Sequence, residues 1–431
     1  MIAMASQKFS CTVLLLFILL FSFLNAQSCS SYKVSVGGKT MVGSNYDTWL
    51  TTPRIWFETD GYGSSFTGAR PDGANGFAPQ TGMNEYGLAF VTLATATPEN
   101  GKVPPGKKQI ASRTVYLKDI LHNCKTVDEV KLYVDQYDHS SLSQDVFLYV
   151  DRSGKYIVVE PYKIIEGNDP KYVLANFCPS TITDFSTIKQ ARYVNGSAFV
   201  KNKIDTSLAF CNALSDTMHV CRAKHGDGTL LTSILDLENG IAYLYFYHDY
   251  KQQVQFILAD ELAKGNHFIE IPALFPPNKE FKELKNFQTP MNSAVIDRFL
   301  IFCVMLFSIS FFYFLVNYFR KRKTTKYRWL KLMLAPLSLV MLLYIFMLVR
   351  EENIFYFPAP YSDGNFSLVS IASYIPFLLL ILLIPLFISN KNIFREPTWG
   401  TFAKWIFTLN NITYVTLVVL FSYWGFYNIF H

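Results

Sequence analysis

A cysteine at position 29 stands directly behind a short apolar run, the setting in which a thiol becomes an enzyme's nucleophile through processing. Residues 12–24 (TVLLLFILLFSFL) follow a lysine-bearing start, Met1 to Lys8. They lead into Ala26-Gln27-Ser28, with small residues at the two positions that a signal peptidase reads. A cut after Ser28 leaves Cys29 first in the mature chain, with a thiol and a free α-amine on one residue, a nucleophile carrying its own base. The chemistry expected of it is attack on an amide carbonyl. Three other uses compete. A lipid anchor usually has an aliphatic residue three places upstream, where this chain has Ala26. A disulfide would consume the thiol, and a cut after Ala26 would leave a Gln27-Ser28 stub.

Such a nucleophile needs a strand that folds straight back on it. After Cys29, Tyr32, Val34 and Val36 alternate with polar residues, and Gly37-Gly38 is a hairpin signal before a second strand. A two-residue turn pairs position 29 with 46, and a three-residue turn pairs it with 47. Either brings Asp47 beside the new N-terminus, although a one-residue slip reverses the face its side chain takes. Asp47 is therefore expected to hold and polarise the α-ammonium or the thiol, against the commoner use of such a residue as an exposed hairpin-end carboxylate. Further on, Gly82-Met83-Asn84-Glu85-Tyr86-Gly87-Leu88 reads as a turn before an apolar strand, 88–94. Residues 114–136 have helical spacing in two pieces broken near Cys124, and strands are expected at 144–151 and 155–161. The strand ending Tyr172-Val173-Leu174 leads into Asn176, whose amide suits a developing oxyanion or a turn cap. Arg192 is open between a surface charge and a site residue.

In this order the pieces resemble the choloylglycine hydrolase and penicillin V acylase family with its acyltransferase relatives, the linear-amide N-terminal-nucleophile (Ntn) hydrolases. Cys29-Ser30-Ser31 resembles the mature start of penicillin V acylases, and Gly43-Ser44-Asn45-Tyr46-Asp47-Thr48-Trp49 resembles the second-strand motif. Gly82-Met83-Asn84-Glu85 with Gly87-Leu88, Asp145 to Asp151 with Ser153-Gly154, Leu174-Ala175-Asn176-Phe177 and Arg192-Tyr193 are similar to further family segments. The resemblance spans about residues 29–275. It implies an αββα sandwich, with Cys29 as nucleophile, Asp47 as catalytic aspartate, Asn176 in the oxyanion hole and Arg192 supporting the site. Two departures stand out. Ser44 occupies the place where bile-salt hydrolases carry an arginine, and no second oxyanion donor is evident among Thr92, Leu93 and Ala94.

The chain of 431 residues changes character along its length. An Ntn-hydrolase domain is expected over 29–290 and a membrane domain over 291–431, with spans at about 299–319, 332–349, 367–389 and 405–427. The connection after the first span holds seven lysines and arginines, from Arg320 to Lys331. By the positive-inside rule it faces the cytoplasm, which puts the large domain and the short C-terminal end outside. The net charge of +6 therefore belongs with anionic lipid, and no basic-aromatic nucleic-acid pattern is present. Of seven cysteines, Cys124, Cys178, Cys211 and Cys221 admit three pairings, with Cys211–Cys221 the local one. The histidines lack metal-ligand spacing, so neither metal nor cofactor is expected.

The expected activity is hydrolysis of an N-acyl amine or N-acyl amino acid through an acyl-thioester at Cys29, with membrane lipid close by. The alternatives are an acyltransferase that passes the acyl group to an amine, or a membrane sensor that keeps the hydrolase fold. Transport is disfavoured because the spans carry no paired buried charges.

Overall fold

The computed structural model describes residues 29–98, 101–102, 105–222, 227–320, 326–356 and 371–428. The expected signal peptide lies outside these residues. The chain divides into two units, one ending at Phe287 and the other beginning at Gln288.

The first unit is built on two antiparallel sheets. Strands β1 (Ser30–Val36) and β2 (Lys39–Thr48) form the hairpin read from the sequence, with Val36 opposite Lys39 and Ser30 opposite Asn45. The turn is therefore the two-residue one. Gly37 and Gly38 both have positive φ (61° and 82°), which a tight hairpin turn of this kind requires. The sheet runs Lys171–Leu174, β1, β2, Asp227–Asp236, Ile241–Phe246, Val254–Ile257. The short strand Cys221–Arg222 pairs beside Asp227–Asp236. The second sheet runs Ile164–Gly167, Tyr156–Val159, Asp145–Val150, Ala89–Ala94, Thr81–Asn84, Ser64–Gly68, Arg54–Glu58, His267–Glu270.

Alternation along the strands decides which face meets a helix. Tyr32, Val34 and Met41 pack with Cys211, Leu214 and Met218 of the helix Leu208–Met218 and with Val200 of Ala191–Asn202. Gly43 has no side chain because the Tyr32 ring lies there; a Cβ would sit 2.1 Å from its Cζ. The Tyr32 hydroxyl donates to the Cys211 carbonyl at 2.6 Å. On the second sheet, Phe66, Phe90, Phe147 and Tyr149 pack on Leu117, Leu121, Val127 and Val130 of the helices Arg113–Asn123 and Val127–Val134. These are the two helical pieces read over 114–136. Ser112 and Thr126 start them by accepting from the amides of Val115 and Glu129. The polar faces left over turn toward each other, as where Thr67 Oγ1 lies 3.5 Å from Ser233 Oγ. The result is four layers, αββα.

The Asn84 turn has a structural use. Its side-chain amide donates to the carbonyls of Leu121 and Cys124, both at 2.8 Å, and its Oδ1 accepts from Tyr86 and Leu88. No disulfide joins the described residues. The local Cys211–Cys221 pairing is not formed, because Cys211 is sealed in the helix–sheet core while Cys221 is exposed.

His139 is buried with its Nε2 2.7 Å from the Tyr116 hydroxyl, and burial pushes its imidazole down from 6.5 to about 4. Between those values the unfolded chain binds a proton that the folded chain does not, so stability falls as pH drops from about 6.5 toward 4. Full titration through that window is worth up to about 3 kcal/mol. The detergent-solubilised protein should lose that stability between pH 7 and 4.5 in denaturant titrations, and His139→Gln should lose measurably less.

Among its described residues the second unit holds four long apolar helices, Ala294–Arg320, Arg328–Arg350, Ile375–Phe394 and Thr401–Tyr423, each long and apolar enough to cross a membrane. Of the third, read at 367–389, residues 367–370 lie outside the described ones, and the long helix begins at Ile375. Pro376 suits its first turn because the missing N–H has no partner to lose there. The fourth, read at 405–427, begins at Thr401 and gives way at Trp424-Gly425, where Gly425 has φ +70°. Asn410 and Asn411 face neighbouring helices. Asn410 Nδ2 lies 2.8 Å from Ser310 Oγ, and Asn411 Nδ2 is 3.5 Å from the Leu386 carbonyl.

Candidate active site

Both reactive atoms of Cys29 are held at the start of β1. Its nitrogen donates to Asn176 Oδ1 at 2.8 Å, and its buried Sγ lies 3.6 Å from Gln80 Nε2. Asn176 reaches this nitrogen because the strand Lys171–Leu174 pairs with β1, with Leu174 opposite Ser31. One N–H of its amide donates to the Ala94 carbonyl at 2.7 Å.

The two-residue turn sets position 29 opposite Tyr46 by continuation of the β1–β2 register. Asp47 follows one residue later, and its backbone N–H bonds the Cys29 sulfur. The Asp47 carboxylate is buried and accepts from Thr229 Oγ1 at 2.5 Å. Thr229 is opposite Asp47 on the neighbouring strand, and the register shifts by one residue between Thr229 and Leu231. Such a bulge bends a strand and re-aims its side chains, here beside the cysteine.

Burial pushes the Cys29 thiol up from 9.0 to about 12, and the Asp47 carboxylate adds to this. The Asp47 backbone N–H, Arg192 and Arg113 oppose it in part. Arg192, in the first turn of the helix Ala191–Asn202, is thus near enough for its charge to act on the sulfur. The thiol is thus held protonated and sheltered.

Gln80, whose amide reaches the Cys29 sulfur, also borders a cavity of about 480 Å³ with Tyr46, Ala94, Arg70, Asp72 and Arg113 among others. Arg113 pairs with Asp145 at 3.1 Å. Asp72 is held low by hydrogen bonds from Thr114 and Asn75. Arg70 makes no ion pair among the described residues, and its charge opposes the burial that pushes the Tyr46 hydroxyl up to about 12. Positive charge thus reaches the thiol from Arg192 and Arg113, and Tyr46 from Arg70. Ser44 itself is buried between Ser31 and Ser233 on the paired strands.

All four residues singled out in the sequence, Cys29, Asp47, Asn176 and Arg192, come together here. Gln80, Thr229, Arg70 and Arg113 were not anticipated. Gln80 had a partial signal through Thr92, whose hydroxyl donates to Gln80 Oε1 at 3.0 Å and whose carbonyl accepts from Gln80 Nε2. The amide donor near the thiol is the partner of Thr92 across the sheet.

No family model and no curated relative matches the sequence. Among solved structures, a variant of conjugated bile acid hydrolase from Clostridium perfringens is similar over 58% of this chain and 98% of its own. That match has 19% identity and a TM-score of 0.45. A second variant of the same hydrolase matches at 17% identity, with a TM-score of 0.44 over 58% and 97% of the two chains. Penicillin V acylase from Agrobacterium tumefaciens matches at 15% identity, with a TM-score of 0.40 over 51% and 82%. In fold, the chain is similar to conjugated bile acid hydrolase and penicillin V acylase.

Proposed function

We propose that this protein is a membrane-anchored amidohydrolase whose nucleophile is Cys29, freed as an N-terminal residue by a cut after Ser28. The observation that carries the reading is the joint placement of the Cys29 nitrogen on Asn176 and its sulfur between Gln80 and the Asp47 backbone. Cleavage turns the amide nitrogen into an amine, which takes the thiol proton. The thiolate attacks the carbonyl carbon of a linear amide. The second N–H of the Asn176 amide and the Gln80 amide are the donors offered to the oxyanion. The C–N bond then breaks, the leaving nitrogen takes the proton back from the α-ammonium, and an acyl-thioester remains on Cys29. Water resolves it to a carboxylic acid and the thiol. Asp47, fixed by Thr229, positions the start of β1, and Arg192 supports the charge balance.

The basic connection after the first apolar helix supports an extracytoplasmic hydrolase domain, with the C-terminal end on the same side. In the cavity, Arg113 is neutralised by Asp145 while Arg70 has no ion-pair partner among the described residues, which favours a substrate carrying a carboxylate, an N-acyl amino acid. The test is release of amino acid from N-acyl amino acids compared with matched N-acyl amines that lack the carboxylate. Arg70→Gln should raise KM for the former by about 10-fold or more, with kcat nearly unchanged and little effect on the latter. Equal loss on both substrates would remove the carboxylate assignment, and no turnover of either by correctly cut protein would remove the amidase.

A further inference from the structure

Folding gathers a second set of reactive side chains that the mechanism does not use. Cys221 comes from the edge strand Cys221–Arg222, His248 follows the strand Ile241–Phe246, and Glu280 lies in the helix Lys279–Asn286. The Cys221 Sγ is 3.5 Å from His248 Nε2, which is 3.0 Å from Glu280 Oε2, and the ligand atoms all lie within 4.8 Å of one another. We propose that Cys221, His248 and Glu280 bind one Zn²⁺ ion, with a fourth position left open.

The imidazole is set for this. His248 Nδ1 lies 3.3 Å from the Thr229 carbonyl, an oxygen that only accepts, so Nδ1 carries the hydrogen. In the neutral ring the lone pair is then on Nε2, facing a carboxylate oxygen at hydrogen-bond distance. A backbone carbonyl on the remote nitrogen is the usual support of a metal-bound histidine. The sulfur adds selectivity, since a thiolate with imidazole and carboxylate suits zinc better than calcium or magnesium. Tetrahedral Zn–S and Zn–N bonds of about 2.3 and 2.0 Å put sulfur and nitrogen about 3.5 Å apart, the separation found here.

The local backbone is held in an unfavourable shape to aim this ring. Tyr247 and His248 are consecutive non-glycine residues at positive φ, 55° and 45°. Residues with a side chain rarely adopt this region unless their surroundings enforce it. Buried Tyr247 is enforced by its N–H on the Leu230 carbonyl at 2.9 Å. An open cavity of about 830 Å³, bounded in part by Asp216, His248 and Glu280, gives the ion and a fourth ligand access. The bound ion would tie the edge strand and the helix Lys279–Asn286 to Thr229, the residue that also holds Asp47.

The test uses the full chain in detergent, stripped with chelator, then titrated with zinc by calorimetry and with cobalt by absorbance. One equivalent of zinc, a thiolate-to-cobalt charge-transfer band and a rise in Tm with zinc are expected. Cys221→Ser should remove that band, and both Cys221→Ser and Glu280→Gln, at exposed positions, should weaken zinc binding by about 10-fold or more. Cys29→Ala should leave stoichiometry and band unchanged. No stoichiometric uptake would overturn the site, as would uptake that Cys221→Ser and Glu280→Gln leave intact.

Discussion

Cys29→Ala in the cut protein should lower turnover of an N-acyl amino acid by about 10⁵-fold or more, the scale on which covalent enzymes lose activity with their nucleophile. The fold should survive, because alanine is smaller than cysteine and the Cys29 nitrogen keeps its bond to Asn176. The structure also predicts that cutting matters as much as the side chain. With the leader attached, the nitrogen is an amide and offers no base, and the thiol sits at about 12. A thiol at about 12 instead of 9.0 is ionised about a thousand-fold less at neutral pH, so the uncut form should resist alkylation at Cys29. After the cut, an ammonium stands on the same residue and stabilises the thiolate. Ser28→Phe, which spoils the small residue before the cut, should yield protein as inactive as Cys29→Ala. Alkylation of Cys29 in cut and uncut protein, read by peptide mass, separates the missing base from a missing thiol.

Asp47→Asn is expected to have the next largest effect, a fall in kcat of about 10²–10³-fold. The substitution keeps an oxygen for Thr229 Oγ1 and the backbone N–H for the Cys29 sulfur. What it removes is the buried negative charge. That charge raises the thiol, so its loss should make Cys29 more acidic and remove a buried negative charge that favours the α-ammonium. The pH profile should therefore shift to lower pH even as the maximum falls, a signature that unfolding would not produce. Thr229→Val, which frees the carboxylate but keeps its charge, should lower kcat less and leave the position of the profile closer to the parent. An Asp47→Asn protein with parental kcat would remove Asp47 from the mechanism.

The hairpin was legible because its signals are local: alternation in Tyr32, Val34 and Val36, and two glycines where a tight turn needs positive φ. The helix break near Cys124 and the strand before Asn176 were legible for the same reason. The four apolar helices among the described residues were plain from composition. What depends on distant pairing was hidden. Thr229 meets Asp47 across 182 positions, through a strand whose bulge no local pattern announces. Gln80 carried no signal of its own until the sheet set it against Thr92 and the thiol. Arg70 and Arg113 border one cavity although 43 positions separate them, a meeting that strand spacing does not reveal. The scattered histidines show no ligand spacing, yet His248 meets Cys221 and Glu280 because three separate segments end together.

The central claim is tested most directly by intact-mass and peptide mass spectrometry of the mature protein after a brief incubation with an N-acyl amino acid. A chain beginning at an unmodified Cys29, with a fraction carrying the acyl group on that residue, is the predicted result. A chain beginning at Gln27, a diacylglyceryl group on Cys29, or an acyl adduct on any other residue would contradict it.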